Sequence, residues 1–259
     1  MLKGLYTAYT AMVNEQHRLD TMTNNLANAS TVGYKKEGAT SQCFKDVLTV
    51  KIKDNYDGHH PGAKIIGRNN PGVKIGENYT DYTQGSFRIT DNTYDLALAG
   101  DGFFAVEFTN KAGETSTMYT RAGQFTLNRE GYLVTEDGDY VLDTQSRRIQ
   151  VNTLLDAKID ENGTIYQNDA AVARIGLTDF EDYDYLEKYG ETYYRPIEGA
   201  RTTQANAQIK SGYLEMSNVQ IVSEMVNMIA ITRNYESSQK IIQTYDSSLE
   251  IAATQLGRI

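Results

Sequence analysis

The chain is predicted to be an α+β protein: a discontinuous coiled-coil domain from N- and C-terminal helices, an extended connector, and an inserted small antiparallel β-domain. Three observations carry this: a long apolar stripe at helical spacing near each end, a turn-rich stretch after the first stripe, and period-two alternation through the middle. The C-terminal stripe is the longer. Ile221, Met228, Tyr235, Ile242, Leu249 and Leu256 recur every seven residues, and Met225, Thr232, Ser238, Tyr245, Ala252 and Ile259 fill the gaps between them. Such spacing gathers the side chains on one narrow face, the seam of a coiled coil. Ser217 and Gln220 read as an S-x-x-Q capping box, with Met216 stapled on Ile221 and Gly257 as the stop, so a helix is expected from Asn218 to Leu256.

A helix that long needs a partner for its seam. The N-terminal stripe of Leu2, Leu5, Tyr9, Met12, Leu19, Met22 and Leu26 supplies one, with Lys3, Asn14, Arg18 and Asp20 off the apolar face. The expected division is a helical domain of residues 1–33 and 213–259, a connector over 34–91 and a β-rich domain over 92–212. The seam is expected to pack Ile221, Met228, Tyr235, Ile242, Leu249 and Leu256 on Leu5, Met12, Leu19 and Leu26.

The first helix should fray through Asn24-Asn25-Leu26-Ala27-Asn28-Ala29-Ser30-Thr31-Val32-Gly33, because Asn, Ser and Thr side chains compete for backbone hydrogen bonds and Gly33 tolerates a left-handed cap. Asn24, Asn25 and Asn28 are candidates for fixing that hand-over. Residues 36–91 are polar and interrupted by Asp57-Gly58-His59-His60-Pro61-Gly62 and Asn69-Asn70-Pro71-Gly72, as in a connector with a few short strands. Around Phe44–Ile52 the pattern fits a short helix or a strand equally.

From Thr93 to Tyr194 the pairs and triplets Leu96/Leu98, Phe104/Val106/Phe108, Phe125/Leu127, Ile149/Val151 and Ile175/Leu177 alternate with turns every 8–12 residues. Asn162-Gly163 is the strongest hairpin signal. Tyr183, Tyr185, Tyr189, Tyr193 and Tyr194 form either a contact patch or one face of a sheet.

Composition narrows the function. Of 259 residues, 40% are hydrophobic, enough for a core. The net charge is −9; residues 1–33 are neutral, residues 214–259 carry −2, and the middle holds the rest. An acidic chain without a Lys/Arg cluster argues against nucleic acid or an anionic membrane surface as partner. Cys43 is the single cysteine, so no internal disulfide forms. The first residues lack the apolar core of a secretory signal, and no apolar run is long enough to span a bilayer.

No constellation supports catalysis, and no metal or cofactor is expected. His17 stands alone on the first helix, and the His59-His60 pair has no Cys near it. Glu136, Asp137 and Asp139 around Gly138 lack the calcium-loop spacing and read as a hairpin tip. Gly100-Asp101-Gly102 has no helix after it and reads as a tight turn feeding a buried strand that begins Phe103-Phe104.

Several stretches are shared with a known family. Asn24-Asn25-Leu26-Ala27-Asn28 running to Thr31-Val32-Gly33-Tyr34-Lys35 resembles the N-terminal signature of the flagellar basal-body rod and hook proteins. Asp95-Leu96-Ala97-Leu98-Ala99-Gly100-Asp101-Gly102-Phe103-Phe104, then Tyr119-Thr120-Arg121-Ala122-Gly123-Gln124-Phe125 and Gly131-Tyr132-Leu133-Val134, resemble its central motifs. Gly212-Tyr213-Leu214-Glu215-Met216-Ser217-Asn218-Val219, followed by Glu224-Met225-Val226 and Arg233-Asn234-Tyr235-Glu236, resembles its C-terminal motif. The pattern is most similar to FlgF/FlgG-type rod proteins, including the hook-basal-body proteins of Gram-positive bacteria, and is loosest over residues 180–211.

The resemblance implies a structural, non-enzymatic subunit exported without a cleaved signal peptide through the flagellar type III apparatus. It implies assembly with copies of itself and with neighbouring rod and hook proteins into a helical tube in the basal body. That tube encloses the export channel and transmits torque, and the termini order on assembly. Two other readings fit the residues less well. A coiled-coil-tethered β-domain adhesin would need a conventional export signal or a trimeric helix pattern, and an acidic-site hydrolase would need a stable monomeric cleft.

Overall fold

The computed structural model describes residues 2–51, 64–111 and 113–255. His59, His60 and Leu256 therefore lie outside the described residues. The chain divides into two compact units, one of Met1–Leu26, Glu37–Thr80 and Ile221–Ile259, the other of Ala27–Lys36 and Asp81–Gln220. The mixture of terminal helices and antiparallel strands is the α+β class that the sequence predicts.

In the first unit, helix α1 spans Leu2–Ala27 and helix α2 spans Ile221–Gln255. One face of α1 is tied to the strands that follow it. Asn14 Nδ2 donates to Ser41 Oγ at 2.9 Å. Buried Asn25 bonds both backbone groups of Glu37, donating from Nδ2 to its oxygen at 2.7 Å and accepting its N–H at 2.9 Å. The Asn25 amide thus imitates a neighbouring strand, which is why the chain turns into an extended segment there. At Gly4 a Cβ would lie 2.8 Å from Tyr245 Cζ, so the phenol end of Tyr245 on α2 packs directly against α1 there.

Helix α2 starts at Ile221, three residues later than the capping box implies. Ser217 Oγ accepts the N–H of Val219, two residues on, at 3.3 Å in a local turn, and Asn218 is held by distant backbone, so the helix begins only past them. Between the helices in this unit are two antiparallel ribbons. Glu37–Cys43 pairs with Val73–Thr80, and Val47–Lys51 pairs with Lys64–Asn69, which resolves the stretch after Phe44 as strand. At the Asn-Asn-Pro-Gly turn, Asn70 donates to Phe44 O and accepts from Gly72 N–H, while Phe44 N–H bonds Gly72 O.

The second unit is built on Phe103–Thr109. Thr115–Thr120 pairs along one edge of this strand; Leu177–Phe180 and Tyr140–Val141 share the other. Phe125–Leu127, Leu133–Thr135, Tyr193–Pro196, Leu186–Tyr189 and Thr202–Gln204 extend the same sheet. A hairpin of Ala157–Ile159 and Thr164–Gln167 turns at Asn162-Gly163, with Gly163 at φ +79° and its N–H on Asp160 O, as expected from the sequence. Leu96, Leu98, Phe104, Val106, Phe125, Leu133, Ile149, Ile175 and Ile209 form the buried core.

The tyrosine-rich segment divides. Tyr194 is buried with Phe103, Phe180 and Leu186, and Tyr193 reaches the main core, whereas Tyr185 and Tyr189 are exposed. The sheet-packing reading holds for Tyr193 and Tyr194, while Tyr185 and Tyr189 lie on the surface. Gly138 sits at a hairpin tip between Leu133–Thr135 and Tyr140–Val141, and Gly100 and Gly102, both at positive φ, feed the buried strand.

Candidate functional site

A buried charged cluster lies inside the second unit. Lys35 Nζ lies 2.7 Å from Glu215 Oε1, and Arg121 Nη1 lies 3.4 Å from Glu215 Oε2. The three side chains are 1%, 2% and 0% exposed. Two cations thus share one carboxylate in a dry pocket. Burial depresses the Lys35 pKa below the ordinary lysine value, and the charge and hydrogen bond of Glu215 oppose that shift. Lys35 also donates to Thr83 O at 2.8 Å, Glu215 Oε1 accepts the Gly85 N–H at 2.9 Å, and the Arg121 guanidinium stands 5.2 Å from the centre of the Phe103 ring.

Backbone ties run between the same segments. Gly33 N–H donates to Glu215 O at 2.8 Å, and Lys36 N–H donates to Asn218 Oδ1 at 2.8 Å. Asn218 Nδ2 in turn donates to Asp81 O. Gly33 has φ +70°, and a Cβ there would meet the backbone of Arg121 and Ala122. These segments approach so closely that only glycine fits. Closed to solvent and turned onto internal partners, Lys35 and Glu215 have a geometry that suits holding chain segments together.

Elsewhere in this unit Tyr193 Oη lies 2.9 Å from Asp139 Oδ2 and 3.2 Å from Asp137 Oδ2. Burial raises the Asp139 pKa above its ordinary value, with the Tyr193 hydrogen bond opposing, and burial raises that of Tyr193 as well. This is the hairpin tip, with the tyrosine hydroxyl bridging its two aspartates. Among the described residues no group of three or more His, Cys, Asp or Glu side chains is placed to hold a metal ion. Nor, among the described residues, is any helix long and apolar enough to cross a membrane.

The sequence-derived seam residues separate by burial. Met228, Tyr235 and Ile242 of α2 are half-buried, as are Leu5, Met12, Leu19 and Leu26 of α1, whereas Ile221, Met225 and Leu249 are exposed. The sheltered row on α2 runs Glu224, Met228, Ile231, Tyr235, Ser238, Ile242, Tyr245, with steps of four and three. Counting back by sevens from Ser238 gives Ile231 and Glu224; Met225 and Thr232 belong to the neighbouring, exposed row. Ile231 is 2% exposed.

Of the family-motif positions, Asn25, Asn28, Phe103, Phe104, Ser217, Val219 and Glu224 are buried. Asn28 Oδ1 accepts from Thr31 Oγ1 at 3.1 Å. Asp101 and Arg233 are exposed, as is Asn24. Sequence reasoning missed the Lys35–Glu215–Arg121 cluster. Each member is an unremarkable charge in its own motif, and nothing in the spacing reveals that residues 180 positions apart meet.

Comparison with known proteins matches the same three regions. A model described as flagella basal body rod protein matches residues 5–35. One described as flagellar hook protein FlgE/F/G D1 domain matches residues 97–167, and one described as flagellar basal body rod FlgEFG protein C-terminal matches residues 210–256. Lys35, Arg121 and Glu215 fall one in each. The chain is 36% identical over 270 residues to the flagellar basal-body rod protein FlgG of Bacillus subtilis, covering 96% of this chain and 97% of that protein. It is 34% identical to the flagellar basal-body rod protein FlgF of Caulobacter vibrioides and 32% identical to the flagellar hook-basal body complex protein FlhO of Bacillus subtilis, each over the full length of both chains. With three family models and full-length relatives in agreement, the chain belongs to the flagellar basal-body rod protein family.

Proposed function

We propose that the chain is a non-enzymatic structural subunit of the flagellar rod, assembling with copies of itself and with neighbouring rod and hook proteins into a helical tube. In this reading residues 1–33 and 213–259 are the inner, coiled-coil domain, residues 34–91 the connector and residues 92–212 the outer β-domain. The subunit leaves the cell through the type III apparatus without cleavage, its inner domain surrounds the export channel, and the tube passes torque to the hook.

The observation that carries the reading is the state of α2. This helix of 35 residues is sheltered on one narrow row and leaves Val222 77%, Val226 61% and Ile229 54% exposed on another. Ordering a residue costs about 1–2 kcal/mol, while a fully buried Val, Ile or Met contributes about 1.5–3 kcal/mol. A helix with so few sheltered side chains is marginal alone, and neighbours that cover the second stripe offset the cost. A contact between different faces of successive copies does not close on itself, so it propagates as a filament.

The seam pairs proposed from the sequence, Ile242 with its α1 partners among them, give the test. In cells expressing only Ile242→Asp, the variant should be absent from purified basal bodies and motility should be lost, while the purified chain keeps a folded β-rich unit. Wild-type motility with the variant incorporated would overturn the assignment.

A further inference from the structure

We propose that the Lys35–Glu215–Arg121 cluster is a coincidence lock: residues 31–36 seat on the β-rich unit only once residues 213–219 are in place. The charges set the order. Lys35 and Arg121 are held by the two oxygens of one carboxylate, in a pocket that excludes water. Without Glu215 the two cations would face each other with no solvent to screen them, and like charges repel most strongly where the medium is least polar. The single neutral bond from Lys35 to Thr83 O does not offset that repulsion, so Lys35 stays out.

The neutral ties point the same way. Gly33 N–H and Lys36 N–H both find their acceptors on the C-terminal strap, at Glu215 O and Asn218 Oδ1; the strap's ties to the body, Lys188 Nζ on Lys35 O and Asp81 N–H on Lys36 O, are fewer and carry no buried charge pair. The lining between them, Thr83 and Gly85, is also fixed by Glu215 or Asn218. By contrast, the main core takes no residue from either strap. The body of the unit can therefore form while residues 31–36 remain loose.

Chain order turns this into a timing device. Lys35 and Arg121 precede Glu215 by 180 and 94 residues. A chain delivered N-terminus first presents both cations long before the anion they need. Residues 31–36 follow α1, and residues 213–219 lead into α2. Closure therefore registers that both ends have arrived, and the segment after α1 stays available until then.

Hydrogen exchange on the full-length chain tests the lock. In Glu215→Gln, amides of residues 31–36 should exchange at least about a hundredfold faster, as expected for a buried charge pair stripped of one partner. Amides of Phe103–Thr109 and Leu133–Thr135 should keep their protection. Asn218→Ala, which removes one acceptor and no charge, should loosen the same strap by about tenfold. Pulse labelling during refolding of the wild-type chain should show residues 31–36 and 213–219 gaining protection in one phase, after the core strands. Three results would overturn the proposal: an N-terminal strap protected before residues 213–219, unchanged exchange of residues 31–36 in both variants, or equal loss across the core strands in both.

Discussion

Gly33→Ala probes a close backbone approach in the β-rich unit, and its cost can be worked from the structure. At φ +70° an alanine pays about 1–2 kcal/mol for the left-handed conformation alone. Its Cβ would also lie 2.5 Å from Arg121 C and 2.6 Å from Ala122 Cα, backbone atoms that cannot rotate aside. Ordinary contact needs a shift of about 1 Å, which stretches the 2.8 Å bond from Gly33 N–H to Glu215 O beyond use. Losing that bond adds about 1 kcal/mol, and overpacking adds about 1–3 kcal/mol. The total is about 3–6 kcal/mol. Gly138→Ala is the control, because Gly138 has φ +94° with nothing within 4 Å of its would-be Cβ. It should show the conformational cost alone. Urea denaturation of both variants, followed by far-UV circular dichroism, gives the comparison. Equal losses in the two variants would refute the close approach of residues 33 and 121–122.

Three further outcomes follow from named contacts. Ile231→Asp should block incorporation into rods more severely than Thr232→Asp, since Ile231 lies on the sheltered row and Thr232 does not; incorporation measured in basal bodies with the opposite ranking would move the seam by one residue. Asp139 has a raised pKa in the folded chain, so the stability it contributes is complete below the unfolded pKa near 3.8 and is lost as pH rises through the folded value. Asp139→Asn should remove that decline from a plot of unfolding free energy against pH, and an unchanged slope would reject the assignment. Glu107 is bonded by Arg148 through Nε at 3.0 Å and Nη2 at 2.6 Å, which holds its pKa below the ordinary value. Its contribution should be present above pH 4.5, fall as pH drops through the folded pKa, weaken with salt, and vanish in Glu107→Gln.

What the sequence disclosed and what it hid have physical causes. The helices and the hairpin at Asn162-Gly163 depend on local periodicity and turn chemistry, so they are legible residue by residue. Helix α2 begins three residues past its capping signal because Ser217 closes a local turn on Val219 N–H and Asn218 is drawn away to Lys36 and Asp81. The second row of the seam slipped by one residue because Ile231 and Thr232 are both tolerable on a helix face, and only packing separates them. Glu224 on the sheltered row breaks the apolar pattern altogether. The buried cluster was invisible for another reason. Sequence pattern treats Lys35, Arg121 and Glu215 as surface charges, and only the meeting of three distant segments makes them interior.

In the proposed assembly the terminal helices become ordered through neighbouring copies. Hydrogen exchange across α2, measured on the isolated full-length chain and on assembled rods, tests it most directly. Amides from Met228 to Leu249 should exchange at close to unfolded rates in the isolated chain and at least about a thousandfold more slowly in the rod, with Phe103–Thr109 protected in both. Protection of α2 in the isolated chain equal to that of Phe103–Thr109 would contradict the account.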